Sequence, residues 1–482
     1  MRILIFVLAC VLLIVPCQAR IITVDDDGPA DFNNIQAAID DSYDGDIIEV
    51  QLGTYTGDGN RDVDFEGRTV TVRSTDPNDP QIVDGTIIDC EGAGRGFVFC
   101  TGEGPRSVIA GLTITNGYDS FIGGAVRCYN SSSPAISNCV ISASTAMTFG
   151  GGIACGGGSS PTIRNCIIRD NSATFGFGGG VFCNSASPMI NNSLVTGNNA
   201  PIGGAISCAI SSSVIRSCTF GGNSASTKGG GIYCSSSSDV TIENSILWEN
   251  TNGNGSEIFV SRSGGVSSLT VSYCDIKGGE QAAVVEQDCT LNWAPGNIDD
   301  DPCFVTGPLG NFYLSQTAAG QPWDSPCVDA GSDFAANLGL DKFTTRTDGL
   351  GDLDTVDMGY HYPSSERPVI SASIEIKPGT FNLASKARWL MCFIRLPENY
   401  DVVDIDSASV LLQEGEIEAE EISVDEVEQV AKARFSRSLV VQANLGIDNK
   451  SVMVIVGGEL TDGTIFEGTD VIKVIDKGGR NK

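Results

Sequence analysis

The chain has 482 residues, a formal net charge of −31 and a pI of about 4.2. This excess of acidic residues argues against a nucleic-acid partner, because binding to phosphates requires clustered Lys and Arg. The length allows two or more domains with sizeable cores.

Residues 1–19 have the features of a secretory signal peptide. Arg2 supplies a positive charge, 13 apolar residues follow, and small residues precede a cleavage site after Ala19. That run is too short to span a bilayer. The alternative is a lipoprotein anchor at Cys17, although Pro16 is unfavourable before it. We expect an exported protein, secreted or held at the cell surface or in the periplasm, with no transmembrane segment in the mature chain.

The segment from Val24 to Tyr55 predicts a short helix that caps the beginning of the domain. Asp31 can act as the N-cap of a short helix whose apolar face consists of Phe32, Ile35 and Ile39. Such a helix would cover the exposed edge of whatever strands follow it.

A Gly-Gly-x-aliphatic-x-Cys motif then repeats five times. Its cysteines are Cys128, Cys155, Cys183, Cys208 and Cys234, at intervals of 27, 28, 25 and 26 residues. A second register follows with Cys139, Cys166, Ser193, Cys218 and Ser245, and a third with Asn171, Asn198, Asn223 and Asn250. A fixed period of this length is typical of a solenoid.

Within each period the β-branched, alternating segments indicate three short strands separated by Ser, Gly, Pro or Asn turns. Three strands per coil predict a parallel β-helix in which each residue stacks on its counterpart one coil away. We expect glycine where backbones approach closely, asparagine in turns and ladders, and cysteine as a small buried side chain. Ser193 and Ser245 at cysteine positions favour packing over catalysis. Stacked cysteines lie near disulfide distance, and the sequence does not say which of them are oxidised.

This repeat resembles the right-handed parallel β-helix of the pectin-lyase-like superfamily. The repeats GGAV (123–126), GGAI (203–206) and FGGN (220–223) also resemble those of polymorphic outer-membrane adhesins. The resemblance implies an all-β fold in which residues 20–365 form the β-helix. Residues 296–304, 324–332 and 348–362 resemble its closing coils.

The period ends before a plausible linker at residues 364–368, and the charge then rises. Six or more predicted strands follow, with a hairpin signal at residues 461–464. We therefore expect residues 366–482 to form a small β-sandwich.

Five residues are candidates for contact with an anionic sugar chain. Arg164 and Arg216 share an outward position two coils apart, and Arg127 shares another with Phe182 and Tyr233. Residues 121–238 carry five basic residues and one acid, so this segment is net +4 and the rest of the chain −35. The alternative is that these charges are scattered in solvent.

A candidate calcium site lies in the segment DGLGDLDTVDMG, which contains Asp348, Asp352, Asp354 and Asp357. Clustered carboxylates suit calcium, although the spacing is not that of an EF-hand loop. The alternative is a solvated turn.

The sequence favours a non-catalytic protein that contacts polysaccharide or another cell-envelope component. The one histidine, His361, lies in the terminal turn MGYHYP, which argues against a Ser-His-Asp triad, and a single histidine argues against a histidine-based zinc site. The alternative is a polysaccharide lyase or a related carbohydrate-active enzyme that acts on an anionic polysaccharide. The resemblance implies an arginine or lysine base for such an enzyme.

Overall fold

The structure is a computed structural model that describes residues 19–252, 257–352, 354–364, 369–382, 385, 388–397, 400–405, 407, 409–412, 417–438, 451–460 and 465–475. The predicted signal peptide lies outside these residues except for Ala19, and so do residues 365–368 of the predicted linker. The chain divides into two compact units, Met1–Ser365 and Glu366–Lys482. No helix in the described residues has the length and apolar character needed to span a membrane.

The first unit is a parallel β-solenoid built from four sheets, named here A to D. Sheet A contains Ile21–Val24, Ile47–Val50, Thr71–Ser74, Val108–Ala110, Ala135–Ser137, Thr162–Arg164, Met189–Asn191, Val214–Arg216, Asp239–Glu243, Ser268–Ser272 and Thr290–Trp293. Sheet B contains Gly53–Tyr55, Thr86–Asp89, Thr113–Thr115, Val140–Ser142, Ile167–Arg169, Leu194–Thr196, Thr219–Gly221, Ile246–Trp248 and Asp275–Ile276. Sheet C contains Val63–Asp64, Phe97–Phe99, Val126–Cys128, Ile153–Gly156, Val181–Asn184, Ile206–Ala209, Ile232–Ser235, Ile258–Val260 and Val284–Val285. Sheet D contains Tyr118–Asp119, Thr145–Ala146, Ser172–Ala173, Asn199–Ile202, Ser224–Lys228 and Thr251–Asn252.

The middle coils hold four strands instead of the predicted three. The additional strand, in sheet D, lies between the asparagine of the third register and the Gly-Gly motif, where the sequence suggested only a turn. It pairs with its counterparts one coil away, as Thr145 does with Ser172.

The predicted registers stack as expected. Cys128, Cys155, Cys183, Cys208 and Cys234 are successive partners in sheet C. These five side chains are fully buried, and the cysteines of the second register lie in the same core. The prediction that the cysteines of both registers are buried is therefore confirmed.

The asparagines of the third register form a buried ladder inside the solenoid. Asn171 donates from its main-chain and side-chain nitrogens to Oδ1 of Asn198, both at 3.0 Å. Asn198 donates to Asn223 and Asn223 to Asn250 in the same way. Each side-chain nitrogen also donates to a carbonyl of the preceding coil, so every buried polar group in the ladder has a partner.

The helix α1 (Ile35–Asp41) covers the first coil, as predicted, but Asp31 is not its N-cap. The N-cap is Asn34, whose side chain accepts a hydrogen bond from the Ala37 N–H. Asp31 instead accepts hydrogen bonds from the main chain and the hydroxyl of Thr23. Ile35 and Ile39 are fully buried in the solenoid core. The later helices α2 to α4 are Pro80–Gly85, Gly279–Ala282 and Ala335–Leu338, and the 3₁₀ helices are Thr317–Ala319 and Val402–Asp404.

Of the segments predicted as closing coils, residues 296–304 continue sheet B through one parallel bridge, between Ile298 and Asp275. The described parts of residues 324–332 and 348–362 do not extend sheets A to D. Residues 303–363 instead form two short antiparallel pairs, which are Phe304–Gly307 with Gly310–Leu314 and Phe343–Thr344 with Tyr362–Pro363. This segment packs across the outer face of sheet B, where Tyr313, Tyr360 and Tyr362 cluster with Leu194. Tyrosine burial against that face replaces the stacking of further coils.

The second unit is all-β, as predicted. Its strands form one sheet in the order Val369–Ser371, Ile465–Ile475, Ser451–Glu459, Leu411–Leu412, Ile417–Asp425, Val430–Ser436, Trp389–Arg395 and Ser373–Lys377, and Thr380–Asn382 also pairs with Ile465–Ile475. The sheet curls around its own core until it is almost closed, and the Ile376 N–H of the last strand donates to Asp470. The two faces of the predicted sandwich are therefore two halves of one curled sheet. The predicted hairpin turn lies outside the described residues, although the strands on either side pair antiparallel.

Candidate functional site

Arg127, Phe182 and Tyr233 lie in one outward row of sheet C. The register of successive strands aligns Arg127 with Ala154, then Phe182, Ser207 and Tyr233. The expected alignment is therefore present. Phe182 and Tyr233 are nevertheless only 4% and 3% exposed, because other rings cover them.

The side chains that cover them come from the position directly before each Gly-Gly pair. Ile122, Phe149, Phe177 and Ile202 are stacked there in successive coils. The Phe149 ring stacks on Phe182 with centroids 4.6 Å apart, and Phe177 lies 6.2 Å from Tyr233. These side chains form a second apolar layer outside the solenoid core.

The glycines make this layer possible. Gly150 has a φ of +65°, and a Cβ on it would lie 2.5 Å from the Ile153 carbonyl oxygen. A Cβ on Gly151 would lie 2.5 Å from the carbonyl oxygen of Gly179, one coil away. The first glycine therefore permits the left-handed turn that folds the ring back, and the second permits neighbouring backbones to stack.

The layer opens to solvent along one edge of the solenoid. Phe121 is 56% exposed and its ring meets Phe149 edge-on at 5.4 Å. Phe175, two residues before Phe177, is 72% exposed. We call Phe121, Phe149, Phe175, Phe177, Phe182 and Tyr233 the aromatic ridge. The recurrence of Phe directly before Gly-Gly marks the half-buried Phe149 and Phe177, but no such pattern in the sequence singles out the exposed Phe121 and Phe175.

Arg127 lies at one end of the outward row of sheet C that contains Phe182 and Tyr233. Its guanidinium lies 5.0 Å from the centre of the Tyr129 ring, and the side chain is half-buried. The Nε atom of Arg127 has no hydrogen-bond partner among the described residues. The arrangement places a cation beside aromatic rings, where its charge is only partly solvated.

Arg164 and Arg216 lie on a different face, the outer side of sheet A. They are two coils apart with Asn191 between them, as predicted. Arg216 forms an exposed ion pair with Glu243 at 3.0 Å. Arg164 is exposed and forms no ion pair with any residue that the structure describes. The five predicted residues therefore lie on two separate faces and do not line one groove.

The four aspartates proposed for calcium occupy three settings. Asp348 pairs with Arg346 at 2.5 Å, and this contact helps to lower the pKa of Asp348 although burial opposes it. Asp354 is exposed. Asp352 and Asp357 are buried, and the Asp357 N–H donates to Asp352 at 2.9 Å.

The buried pair belongs to a network around His361, which is fully buried. Its Nε2 lies 2.9 Å from Asp352, and its Nδ1 lies 3.0 Å from the Gly359 carbonyl oxygen. Burial, with the charge of Asp352, raises the pKa of Asp357 to about 6. Asp357 also accepts hydrogen bonds from Thr345 and Gln316. Its carboxylate is thus already satisfied by protein donors, and the role of calcium here stays a prediction.

One acidic group among the described residues has three carboxylates close enough to share a cation, namely Asp25, Asp26 and Asp27 in the first coil. Asp26 and Asp27 are exposed, as acidic side chains commonly are without a bound ion. These three residues are not among the candidate sites that the sequence predicted.

Comparison with known families agrees with this architecture. The family model described as right handed beta helix region matches residues 53–208, about a third of the chain. The solenoid is a right-handed parallel β-helix. The stacking of this β-helix continues beyond the matched residues to Trp293 in sheet A. The resemblance to the pectin-lyase-like superfamily is therefore confirmed for the fold. A search of curated proteins finds no match to the chain.

Proposed function

We propose that this is an exported, non-catalytic protein whose β-helix contacts carbohydrate or another cell-envelope component through the aromatic ridge. The observation that carries the proposal is the exposed edge of the ridge. Phe121 is held edge-on against Phe149, and Phe175 is exposed close to Phe177. Aromatic faces held in place by a rigid scaffold are suited to stacking on sugar rings, because little side-chain entropy is lost on binding.

The spacing and charge of this region support the same proposal. Coils repeat at ~4.8 Å, so equivalent positions two coils apart are ~10 Å apart, close to the length of a disaccharide repeat. Residues 121–238 are net +4 in an otherwise acidic chain, and Arg127 lies beside the buried row. An extended glycan lying along the solenoid axis would meet equivalent side chains from successive coils.

The test is a glycan-array screen of the mature chain, followed by titration of the best binder. The double variant Phe121→Ala, Phe175→Ala should weaken binding about tenfold, because the loss of aromatic contacts costs ~1–2 kcal/mol. Tyr43→Ala is the matched control, since Tyr43 is 69% exposed in the N-terminal region, outside the aromatic ridge. Binding to no glycan, or equal losses in both variants, rejects the proposal.

The second candidate is a polysaccharide lyase that uses the outer face of sheet A. It is favoured by one observation: Arg164 is exposed, has no ion pair among the residues that the structure describes, and lies in line with Arg216. Elimination at a uronic acid requires a base near the C5 proton and positive charge at the carboxylate. We expect no ultraviolet signal of unsaturated product from pectate or alginate, with or without calcium. A steady rise in the ultraviolet absorbance of unsaturated product would favour the lyase instead if Arg164→Ala or Arg216→Ala abolishes it.

A further inference from the structure

The five cysteines of the first register form a continuous column inside the β-helix, which we call the sulfur column. Cys128, Cys155, Cys183, Cys208 and Cys234 are consecutive partners in parallel strands. All five side chains are inaccessible to solvent. Each sulfur therefore has a neighbouring sulfur one coil away and no contact with water.

The cysteines of the second register differ in having main-chain partners. Two of them, Cys139 and Cys166, also contact each other, but each thiol donates to a carbonyl as well. Cys166 donates its S–H to the Arg164 carbonyl at 3.2 Å, and Cys218 donates to the Arg216 carbonyl at 3.1 Å. Ser193 makes the same bond to the Asn191 carbonyl at 2.9 Å. A hydroxyl thus substitutes for a thiol, which explains why serine and cysteine alternate there. The sulfur column contains no serine, and no bond from its thiols to a main-chain carbonyl is found among the described residues.

Contacts within the sulfur column are uneven. The Cys155 thiol contacts those of Cys128 and Cys183, and the Cys208 thiol contacts that of Cys183. Burial, with the charge of Cys208, raises the pKa of the Cys234 thiol well above its ordinary value, but the Cys234 thiol does not contact that of Cys208. Four thiols therefore form a connected row and the fifth stands apart.

We propose that the sulfur column is a site of oxidative modification, in which Cys128 forms a disulfide with Cys155 and Cys183 forms one with Cys208. This is the one pairing that uses all four connected thiols and leaves Cys234 reduced. Paired parallel strands lie ~4.8 Å apart, which is within the Cα separation of ~4.4–6.8 Å that disulfides span. Each bond requires the two Cβ atoms to approach by roughly 1 Å, towards ~3.8 Å.

The chemistry requires a disulfide as oxidant, such as oxidised glutathione or a thiol–disulfide oxidoreductase. A thiolate attacks the oxidant disulfide and displaces one thiolate, and the second cysteine then attacks the mixed disulfide. Each new S–S bond removes two protons and two electrons from the column, and the oxidant is reduced to two thiols. Because the column is sealed, this exchange must precede closure of the coils. Contact with Cys128, together with burial, raises the pKa of the Cys155 thiol well above its ordinary value, so the folded column reacts slowly.

The experiment is to refold the reduced, denatured full chain with oxidised glutathione or with a reductant, block free thiols under denaturing conditions and map disulfides by mass spectrometry. We expect the oxidised sample to lose four hydrogens at the two stated pairs, with Cys234 and the second-register cysteines alkylated. Each bond closes a loop of 27 or 25 residues, so the oxidised form should unfold at a higher denaturant concentration.

Variants and a second measurement make the assignment specific. Cys155→Ala should lose only the first disulfide and Cys183→Ala only the second, whereas Cys234→Ala, the matched control in the same column, should keep both. If a variant fails to fold, the map of the wild-type chain still decides the question. Alkylation of all five column cysteines after oxidative refolding, or a bond between Cys155 and Cys183, would overturn the proposal.

Discussion

Asn250 donates hydrogen bonds to both carboxylate oxygens of Glu257, from its main-chain N to Oε1 at 3.1 Å and from Nδ2 to Oε2 at 2.6 Å. Glu257 thus takes the place that the next asparagine of the ladder would occupy. Each asparagine in the ladder donates two hydrogen bonds to the next one, so the last acceptor receives two hydrogen bonds and returns none to the ladder. A carboxylate suits that position because it is an acceptor only.

Glu257 should make the stability of the β-helix depend on pH. Burial raises its pKa to about 7, although both Asn250 donors favour the ionised form. Between the unfolded pKa of ~4.3 and about 7 the folded state binds more protons than the unfolded state, so the free energy of unfolding falls as pH rises. Glu257→Gln should reduce this fall by up to ~3 kcal/mol between pH 4 and pH 8. Denaturant titrations of both proteins across that range check it, and parallel curves would contradict it.

The asparagine ladder should be a main determinant of stability. Asn198→Ala removes the acceptor of the Asn171 main-chain N–H, one of the two acceptors of the Asn171 side-chain nitrogen and one donor to the Ile168 carbonyl, all in a fully buried place. Unsatisfied buried groups cost ~1–3 kcal/mol each, so we expect a loss of ~2–5 kcal/mol in equilibrium denaturation. The control is Asn199→Ala at the next residue, whose exposed side chain donates a hydrogen bond to the Ser224 hydroxyl. Similar losses in the two variants would show that the ladder has no special importance.

The second glycine of each motif should tolerate no side chain. In Gly179→Ala the new Cβ would overlap the carbonyl oxygen of Gly204 on the next coil, with no flexible side chain to move aside. We expect a loss of at least ~3 kcal/mol. Gly222→Ala is the comparison, because Gly222 has a positive φ but no neighbour within 4 Å of the new Cβ. It should cost only the left-handed backbone penalty of ~1–2 kcal/mol.

The sequence was sufficient to predict the stacking of the coils, because a solenoid places equivalent residues next to each other. The partners Arg164–Asn191–Arg216 and the five cysteines of the sulfur column follow directly from the repeat. The fourth strand per coil was missed because two residues, such as Ser172–Ala173, are too few to show periodicity. The position of residues 303–363 was missed because contacts such as Tyr360 with Thr219 join residues 141 positions apart.

The candidate site was harder to predict than the fold. The sequence places Phe182 and Tyr233 outward, which is correct for the sheet, yet it does not reveal that Phe149 and Phe177 fold back over them. Exposure of a side chain depends on that second layer. The four aspartates are close in sequence but have different partners, because some of those partners are brought in by tertiary contacts. Asp357, for example, accepts a hydrogen bond from Gln316, 41 positions away.

The calcium prediction can be tested without disturbing the buried His361 network. A cation that binds only the folded form stabilises it, so added calcium should raise the Tm of the protein. Asp354→Asn removes an exposed carboxylate of the candidate set and should diminish that rise. Asp58→Asn is the control, since Asp58 is almost fully exposed in a distant coil. If neither calcium nor a chelator shifts the Tm of the wild-type chain, the site does not exist.

The two compact units should separate under limited proteolysis. They meet in sequence at Ser365 and Glu366, within the predicted linker at residues 364–368. Each unit has its own apolar cluster, one inside the β-helix and one inside the curled sheet, so each can remain folded when the chain is cut. We expect brief digestion with a glutamate-specific protease to cut after Glu366 and release two fragments that resist further cleavage. Fragments 20–365 and 366–482, expressed separately, should each unfold cooperatively. The midpoints of their unfolding transitions should be close to those of the same units in the full chain. A single transition for the full chain that neither fragment reproduces would show that the two units depend on each other for stability.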